Sequence, residues 1–186
     1  DVIAWHEEVA RHTDIGFSAY SHWYSGSKYD VPVDLIERLL EIPNTNAVKW
    51  SSPNMKNYIE GMRRFVGKAA VVNNNAPLVV YSQILGAHAW VSHIPNFFPE
   101  FCWMVHALME EKRFQKAQKV YADFMGRYAK LRAAVQRSTA GEGIFVKPGM
   151  EAAGLVAGPS RLPSRDTVVT SEVRDGFKKL LAETEA

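Results

Sequence analysis

The sequence predicts an α/β fold assembled from βα units, and three observations carry that prediction. Strand-like runs of four to six residues alternate with helical segments of eight to fifteen, which is the signature of a parallel sheet wrapped by helices. The alternation occurs four times and stops near Phe98, after which the pattern is helical. No GxGxxG and no GxxxxGK[ST] follows any strand-like run, so a doubly wound nucleotide-binding sheet would lack its usual phosphate loop. A TIM barrel is the better match. A complete (β/α)8 barrel takes about 250 residues. This chain of 186 residues supplies half of one plus a helical extension. It also opens at Asp1, without an initiator Met and inside a helical segment, so it is expected to be a piece of something longer.

Taken in order, residues 2–12 read as a helix, with Ile3, Trp5, Val9 and Ala10 at helical spacing. Residues 16–20 (GFSAY) form a short strand that runs into a polar loop, SHWYSGSKYD. A helix over 33–40 is stopped near Pro43. Residues 46–50 (NAVKW) are the second strand. Its SSPN loop starts a helix that runs to about Val66, with Ser52 as N-cap and Pro53 at the first helical position. Residues 69–72 are the third strand, ended by Asn73, Asn74 and Asn75. A short helix over 78–85 and a fourth strand over 89–94 (AWVSHI) follow. Helical segments are then expected at 98–111, 113–137 and 171–184, with a Gly/Pro-rich connection at 141–164 holding a short helix over 147–155. This ordering divides the chain into a barrel half, residues 1–111, and a helical extension, residues 112–186.

Composition excludes several functional classes. A hydrophobic fraction of 47% is too high for a disordered chain. A single Cys forms neither an internal disulfide nor a Cys-cluster metal site. The balance of 22 Lys+Arg against 20 Asp+Glu gives no field that calls for nucleic acid. No run reaches the ~18 uncharged apolar residues of a membrane-spanning helix. His88 and His93 lack HExxH spacing and an acidic cluster, so no metal is expected. Cys102, in FCWMVHALM, reads as a core residue. The segment 113–137 carries Lys116, Lys119, Arg127, Lys130, Arg132 and Arg137, opposed by Asp123. Those cations would suit a non-catalytic helical binding module facing nucleic acid or anionic lipid. A solvated face above the apolar stripe of Phe114, Val120, Tyr121, Phe124, Tyr128 and Leu131 is the commoner arrangement.

In barrel enzymes the reacting groups stand at the C-terminal ends of strands. In NAVKW, Ala47 and Lys49 share one face while Val48 and Trp50 share the other. The larger apolar pair belongs against the outer helices, which turns Lys49 inward. A neutral, desolvated Lys amine is what carbonyl attack and Schiff-base formation require. A lysine at a strand end can equally snorkel to solvent, and on spacing alone that is the more frequent case. By the same alternation Tyr20 turns inward, where a phenol can relay protons to an imine or oxyanion or can simply cap the core. The Asn73–Asn75 run can line a pocket with amides or serve as a turn.

These segments, in this order, resemble the C-terminal part of the dihydrodipicolinate synthase / N-acetylneuraminate lyase family, class I aldolase-type (β/α)8 enzymes that act on pyruvate and related 2-oxo acids. The resemblance runs through essentially all 186 residues. It rests on FSAY with Tyr20, on NAVKWSSPN with Lys49, and on GAHAWVSHIPNFFP set against the family's GAxGxISxxxNxxP. Gly86, Ser92, Asn96 and Pro99 keep that last pattern, Ala89 replaces a usual glycine, and KPGMEAAGLVAGPSRLP is similar to the family's closing segment. The resemblance implies strands 5–8 of the barrel with their helices plus the C-terminal helical extension. It further implies that Lys49 is the Schiff-base lysine, Tyr20 the proton relay, and Val91 the residue whose backbone carbonyl faces the bound pyruvyl unit. Asn74 and Asn75 stand where many members have Gly-Asp, as substrate-binding candidates. A small-molecule 2-oxo acid substrate, no cofactor, no nucleic-acid or membrane partner, a homotetramer and a cytoplasmic location are implied as well.

The chain departs from the pattern after the strand Tyr, where Asn-x-Pro is replaced by Ser21-His22-Trp23. The Arg that holds the aldehyde carboxylate in dihydrodipicolinate synthases is replaced by Ser25, and no Arg lies between Arg11 and Arg38. A bidentate carboxylate clamp is not matched by a serine. His22, Trp23 and Tyr24 instead suggest a bulkier, aromatic or sugar-acid-like second substrate, with dihydrodipicolinate synthase proper as the alternative. The family's Thr-Thr-Gly carboxylate-binding loop has no counterpart among these residues.

Overall fold

Four strands, Phe17–Tyr20 (β1), Thr45–Trp50 (β2), Ala70–Asn73 (β3) and Ala89–Trp90 (β4), lie side by side in chain order as one parallel sheet. The computed structural model describes residues 1–22, 30–136 and 141–184. Sequential parallel neighbours require a crossover between each pair. Helices Val33–Leu40 (α2), Met55–Phe65 (α3) and Val79–Ile84 (α4) provide it, and Val2–Arg11 (α1) precedes the first strand. These elements form one compact unit, Asp1–Ser92, and a second unit spans His93–Ala186.

Alternation along the strands builds the core of the first unit. Ala19, Val48, Trp50 and Val71 are fully buried, and they pack with Ile36 and Leu39 of α2 and with Tyr58, Met62 and Phe65 of α3. The Trp50 indole meets Phe65 edge-on at 5.2 Å and donates its Nε1–H to the Tyr58 carbonyl at 3.0 Å. Position 61 must be glycine for this, because a Cβ there would lie 2.5 Å from the indole ring. The opposite face carries Ser18, Ala47, Lys49, Ala70, Val72 and Ala89, all exposed or half-buried. The predicted division of NAVKW, with Val48 and Trp50 toward the helices and Lys49 away from them, is the observed one.

Two expectations in this unit are corrected. The N-cap of α3 is Asn54, not Ser52, and Pro53 lies outside the helix. Asn54 Oδ1 accepts from the Lys56 and Asn57 amides at 2.9 and 3.2 Å, while the Ser52 hydroxyl is taken by the Asn54 N–H at 3.0 Å. The fourth strand ends at Trp90 rather than Ile94. Its neighbour β3 stops at Asn73, so the Val91 N–H bond to the Asn73 carbonyl, 2.9 Å, is the last rung this side of the ladder offers.

The second unit consists of helices Pro99–Glu110 (α5), Phe114–Gln136 (α6), Gly143–Ala152 (α7) and Ser171–Ala182 (α8), so the observed division places α5 with the helical elements. Helix α7 begins four residues before the expected start, and it carries Pro148 inside, at the cost of the bond to the Ile144 carbonyl. Phe97, Phe101, Phe124, Tyr128 and Phe177 form an aromatic core, with Phe101 stacked on Phe124 at 4.1 Å. Cys102 is half-buried, and burial pushes its thiol up to about 11, which leaves it little nucleophilic character. Two cations of α6 are engaged within this unit: Arg127 donates to Thr184 Oγ1 at 2.8 Å and Arg132 lies over the Phe145 ring at 4.4 Å. Among the described residues no helix is long and apolar enough to cross a membrane.

Candidate active site

Tyr20 and Lys49 are direct register partners across β1 and β2, at the C-terminal ends of their strands. The Lys49 Nζ sits 4.0 Å from the centroid of the Tyr20 ring. An ammonium over a phenol face at a partly exposed position is worth about 0.5–1 kcal/mol. Tyr20 is 45% exposed and Lys49 half-buried, so both groups are reachable by a solute. His22, two residues beyond Tyr20, meets its ring edge-on with centroids 5.0 Å apart.

The backbone beneath these side chains is fixed by buried hydroxyls. Each of Ser21 and Ser51 is fully buried, and each hydroxyl donates to the other's carbonyl at 2.6 Å. The Ser21 N–H also donates to the Lys49 carbonyl at 3.0 Å, extending the parallel ladder one rung past Tyr20. Sequence reasoning did not single out this serine pair as functional. The signal was a serine directly after the strand tyrosine and the SS that follows KW.

The asparagine run splits by side. Asn73 and Asn75 are buried. Asn73 Oδ1 accepts from the Tyr58 hydroxyl at 2.8 Å and from the Asn75 N–H at 2.9 Å, and Asn75 Nδ2 donates to the Ser52 carbonyl at 2.8 Å. The half-buried Asn74 comes out on the other side: its N–H donates to the Trp50 carbonyl at 2.8 Å and its Nδ2 to the Tyr20 hydroxyl at 3.1 Å. Of the two asparagines expected at the site, Asn74 therefore joins the Tyr20–Lys49 cluster, while the Asn75 amide lies against the loop that follows β2. Val91, 42% exposed, sits one residue past β4 and is tied through its N–H to Asn73. Trp23, Tyr24 and Ser25 lie outside the described residues.

The histidines beside β4 have other partners. His88 Nδ1 accepts from the Val71 N–H at 3.1 Å, and His93 Nε2 lies 3.3 Å from the Glu142 carboxylate. Among the described residues no three His, Cys, Asp or Glu side chains are placed to hold a metal ion. The arrangement that remains is an amine, a phenol and an amide converging at the C-terminal edge of a parallel sheet. It can attack a carbonyl carbon, shuttle a proton and bind a polar oxygen.

A profile of the Dihydrodipicolinate synthetase family matches residues 1–184. Among solved structures, the chain is similar to dihydrodipicolinate synthase from Bacillus anthracis, with 21% identity over 99% of this chain and 60% of that one, at a TM-score of 0.80. It is similar to dihydrodipicolinate synthase from Aquifex aeolicus, with 21% identity, 98% and 59% coverage and a TM-score of 0.78. It is also similar to N-acetylneuraminate lyase from Fusobacterium nucleatum, with 14% identity, 100% and 60% coverage and a TM-score of 0.79. At these identities the likeness shows the fold, an α/β fold of the TIM-barrel kind. The chain spans about three fifths of the length of each of these structures. No curated protein matches it.

Proposed function

Because this chain belongs to the Dihydrodipicolinate synthetase family, we propose that it carries the Schiff-base half of a class I aldolase or lyase acting on pyruvate or a related 2-oxo acid. The observation that carries this reading is the pairing of Lys49 and Tyr20 in adjacent register positions, with the amine 4.0 Å from the phenol ring centroid. The free Lys49 amine adds to the 2-keto carbon to give a carbinolamine. Loss of water then gives an imine, whose positive nitrogen accepts electrons from the adjacent carbon, so that a carbon–carbon bond there is made or broken. Tyr20, the register partner of Lys49, supplies the proton with which the carbinolamine hydroxyl leaves. Val91, through its backbone carbonyl, lines the pyruvyl side, Asn74 stands against the Tyr20 hydroxyl, and Asn75 supports the loop behind them. We propose that β1–β4 are strands 5–8 of the barrel.

Borohydride reduction in the presence of pyruvate should fix one pyruvyl unit on Lys49, located by peptide mass, and a Lys49→Ala variant should take up none. A Lys49→Ala variant that still traps pyruvate would overturn the assignment.

The second substrate is proposed to be bulky, aromatic or sugar-acid-like, because His22 packs on Tyr20 and no Arg lies between Arg11 and Arg38. Condensation of aspartate semialdehyde with pyruvate at rates ordinary for dihydrodipicolinate synthase would refute that choice while leaving the imine chemistry in place.

A further inference from the structure

We propose that Asn74 is the positioning residue for Tyr20: its side-chain amide donates to the phenol oxygen and so leaves the phenol's own hydrogen free to be given to a group bound on Lys49. This rests on the reading that Lys49 and Tyr20 carry imine chemistry. An amide nitrogen donates and does not accept, so the 3.1 Å contact from Asn74 Nδ2 makes the Tyr20 oxygen an acceptor there. A phenol has one hydrogen, and with an acceptor lone pair engaged by Asn74 that hydrogen turns elsewhere. No described residue accepts it. Lys49 Nζ lies 4.0 Å from the centroid of the same ring, so a carbinolamine formed on Lys49 is a neighbour of that phenol.

The backbone turns the Asn74 side chain toward Tyr20. Its N–H is bound to the Trp50 carbonyl at 2.8 Å, and its neighbours Asn73 and Asn75 are anchored on the buried side by the Tyr58 hydroxyl and the Ser52 carbonyl. An alternating chain held on both flanks from behind sends the middle side chain forward.

The consequence falls on carbinolamine dehydration. In that step the carbon–oxygen bond breaks, the nitrogen lone pair closes the carbon–nitrogen double bond, and the departing hydroxide takes the Tyr20 proton to leave as water. The phenol is left as a phenolate, and the Asn74 N–H already bound to that oxygen stabilises the charge as it develops. The pyruvate carboxylate is not contacted in this account, so Asn74 should govern the rate of imine formation rather than the affinity for pyruvate.

The test is a double-mutant cycle on the intact protein, read by the rate of borohydride trapping with pyruvate. Asn74→Ala should slow trapping at saturating pyruvate about tenfold and move the half-saturating concentration by less than about twofold. Asn74→Asp, close in shape but with no N–H to give, should slow it at least as much. In a Tyr20→Phe background neither change should matter further, because the hydroxyl they act through is gone. Equal fold-losses in both backgrounds would overturn the proposal, as that is what general disruption of the loop produces. A second readout is independent of turnover. The Asn74 side-chain amide resonances, identified by their loss in Asn74→Ala, should shift on Tyr20→Phe, and unmoved resonances would refute the contact. Failure of the unaltered protein to trap pyruvate at all would sink the Schiff-base reading, and the role given to Asn74 with it. Trapping with additive losses would sink the Asn74 role alone.

Discussion

Ser21 and Ser51 hold each other, each hydroxyl donating at 2.6 Å to the other's carbonyl inside a fully buried pocket of backbone. The pair joins the chain just beyond Tyr20 to the chain just beyond Lys49, and so fixes how far apart the two strands can spread where the reacting side chains stand.

Ser21→Ala should therefore cost stability and activity together. The Ser51 carbonyl loses its buried donor, which is worth about 1–3 kcal/mol. Urea unfolding should give a loss in that range, and pyruvate trapping at Lys49 should slow at the same time. A destabilised variant with an unchanged trapping rate would show that the pair matters to the fold alone.

Lys49→Ala should behave in the opposite way. Its ammonium makes a ring contact worth about 0.5–1 kcal/mol, so thermal unfolding should move by no more than a few degrees while trapping disappears. A large drop in unfolding temperature would mark Lys49 as a structural cation.

Gly61→Ala should lower stability by about 1–3 kcal/mol through overpacking, although alanine is the better helix former. The added methyl would meet the Trp50 indole at 2.5 Å, and that ring is sealed between α3 and the sheet. Calorimetry on the purified variant measures the loss, and a stabilised variant would contradict the packing described.

Glu37 predicts an acid limb. Hydrogen bonds from Arg64 and then Lys68 hold its carboxyl down from 4.5 to about 2. A depressed carboxyl contributes stability that is fully present above its unfolded value and is lost as pH falls through its folded one. The contribution should thus hold above about pH 4.5 and fade toward pH 2. Chemical denaturation at a series of pH values should show this slope, and Glu37→Gln should flatten it. Both ends of the bridge are partly solvent-exposed, so added salt should shrink the slope as well.

Much of the first unit was legible in the sequence because each layer leaves its own period. Residues 33–40 show a helical stripe bounded by prolines, and the observed α2 spans those residues. NAVKW gave the orientation of Lys49 because two large apolar side chains alternate with small and charged ones. What the pattern did not resolve is competition between neighbours of similar chemistry. Ser52 and Asn54 both suit a helix cap, and the choice depended on which oxygen the descending chain brought to the Lys56 and Asn57 amides. The asparagine run was neither simply a turn nor simply a pocket lining, since adjacent amides face opposite sides. AWVSHI has the composition of a six-residue strand, but a ladder extends only as far as its neighbour, and β3 ends at Asn73. The short helix expected over 147–155 is observed as Gly143–Ala152, with Pro148 absorbed inside it.

The enclosure of Trp50 gives the protein a built-in optical gauge. Trp5 and Trp103 are 64% and 70% exposed, so their emission is open to an aqueous quencher, whereas the fully buried indole of Trp50 is shielded from it. Trp50 follows Lys49 directly in the chain and its indole is bound to the Tyr58 carbonyl, so emission protected from the quencher is expected to follow the integrity of the strand end that carries the amine. A loss of that protected signal would tell a damaged scaffold from an intact one whose chemistry alone has failed.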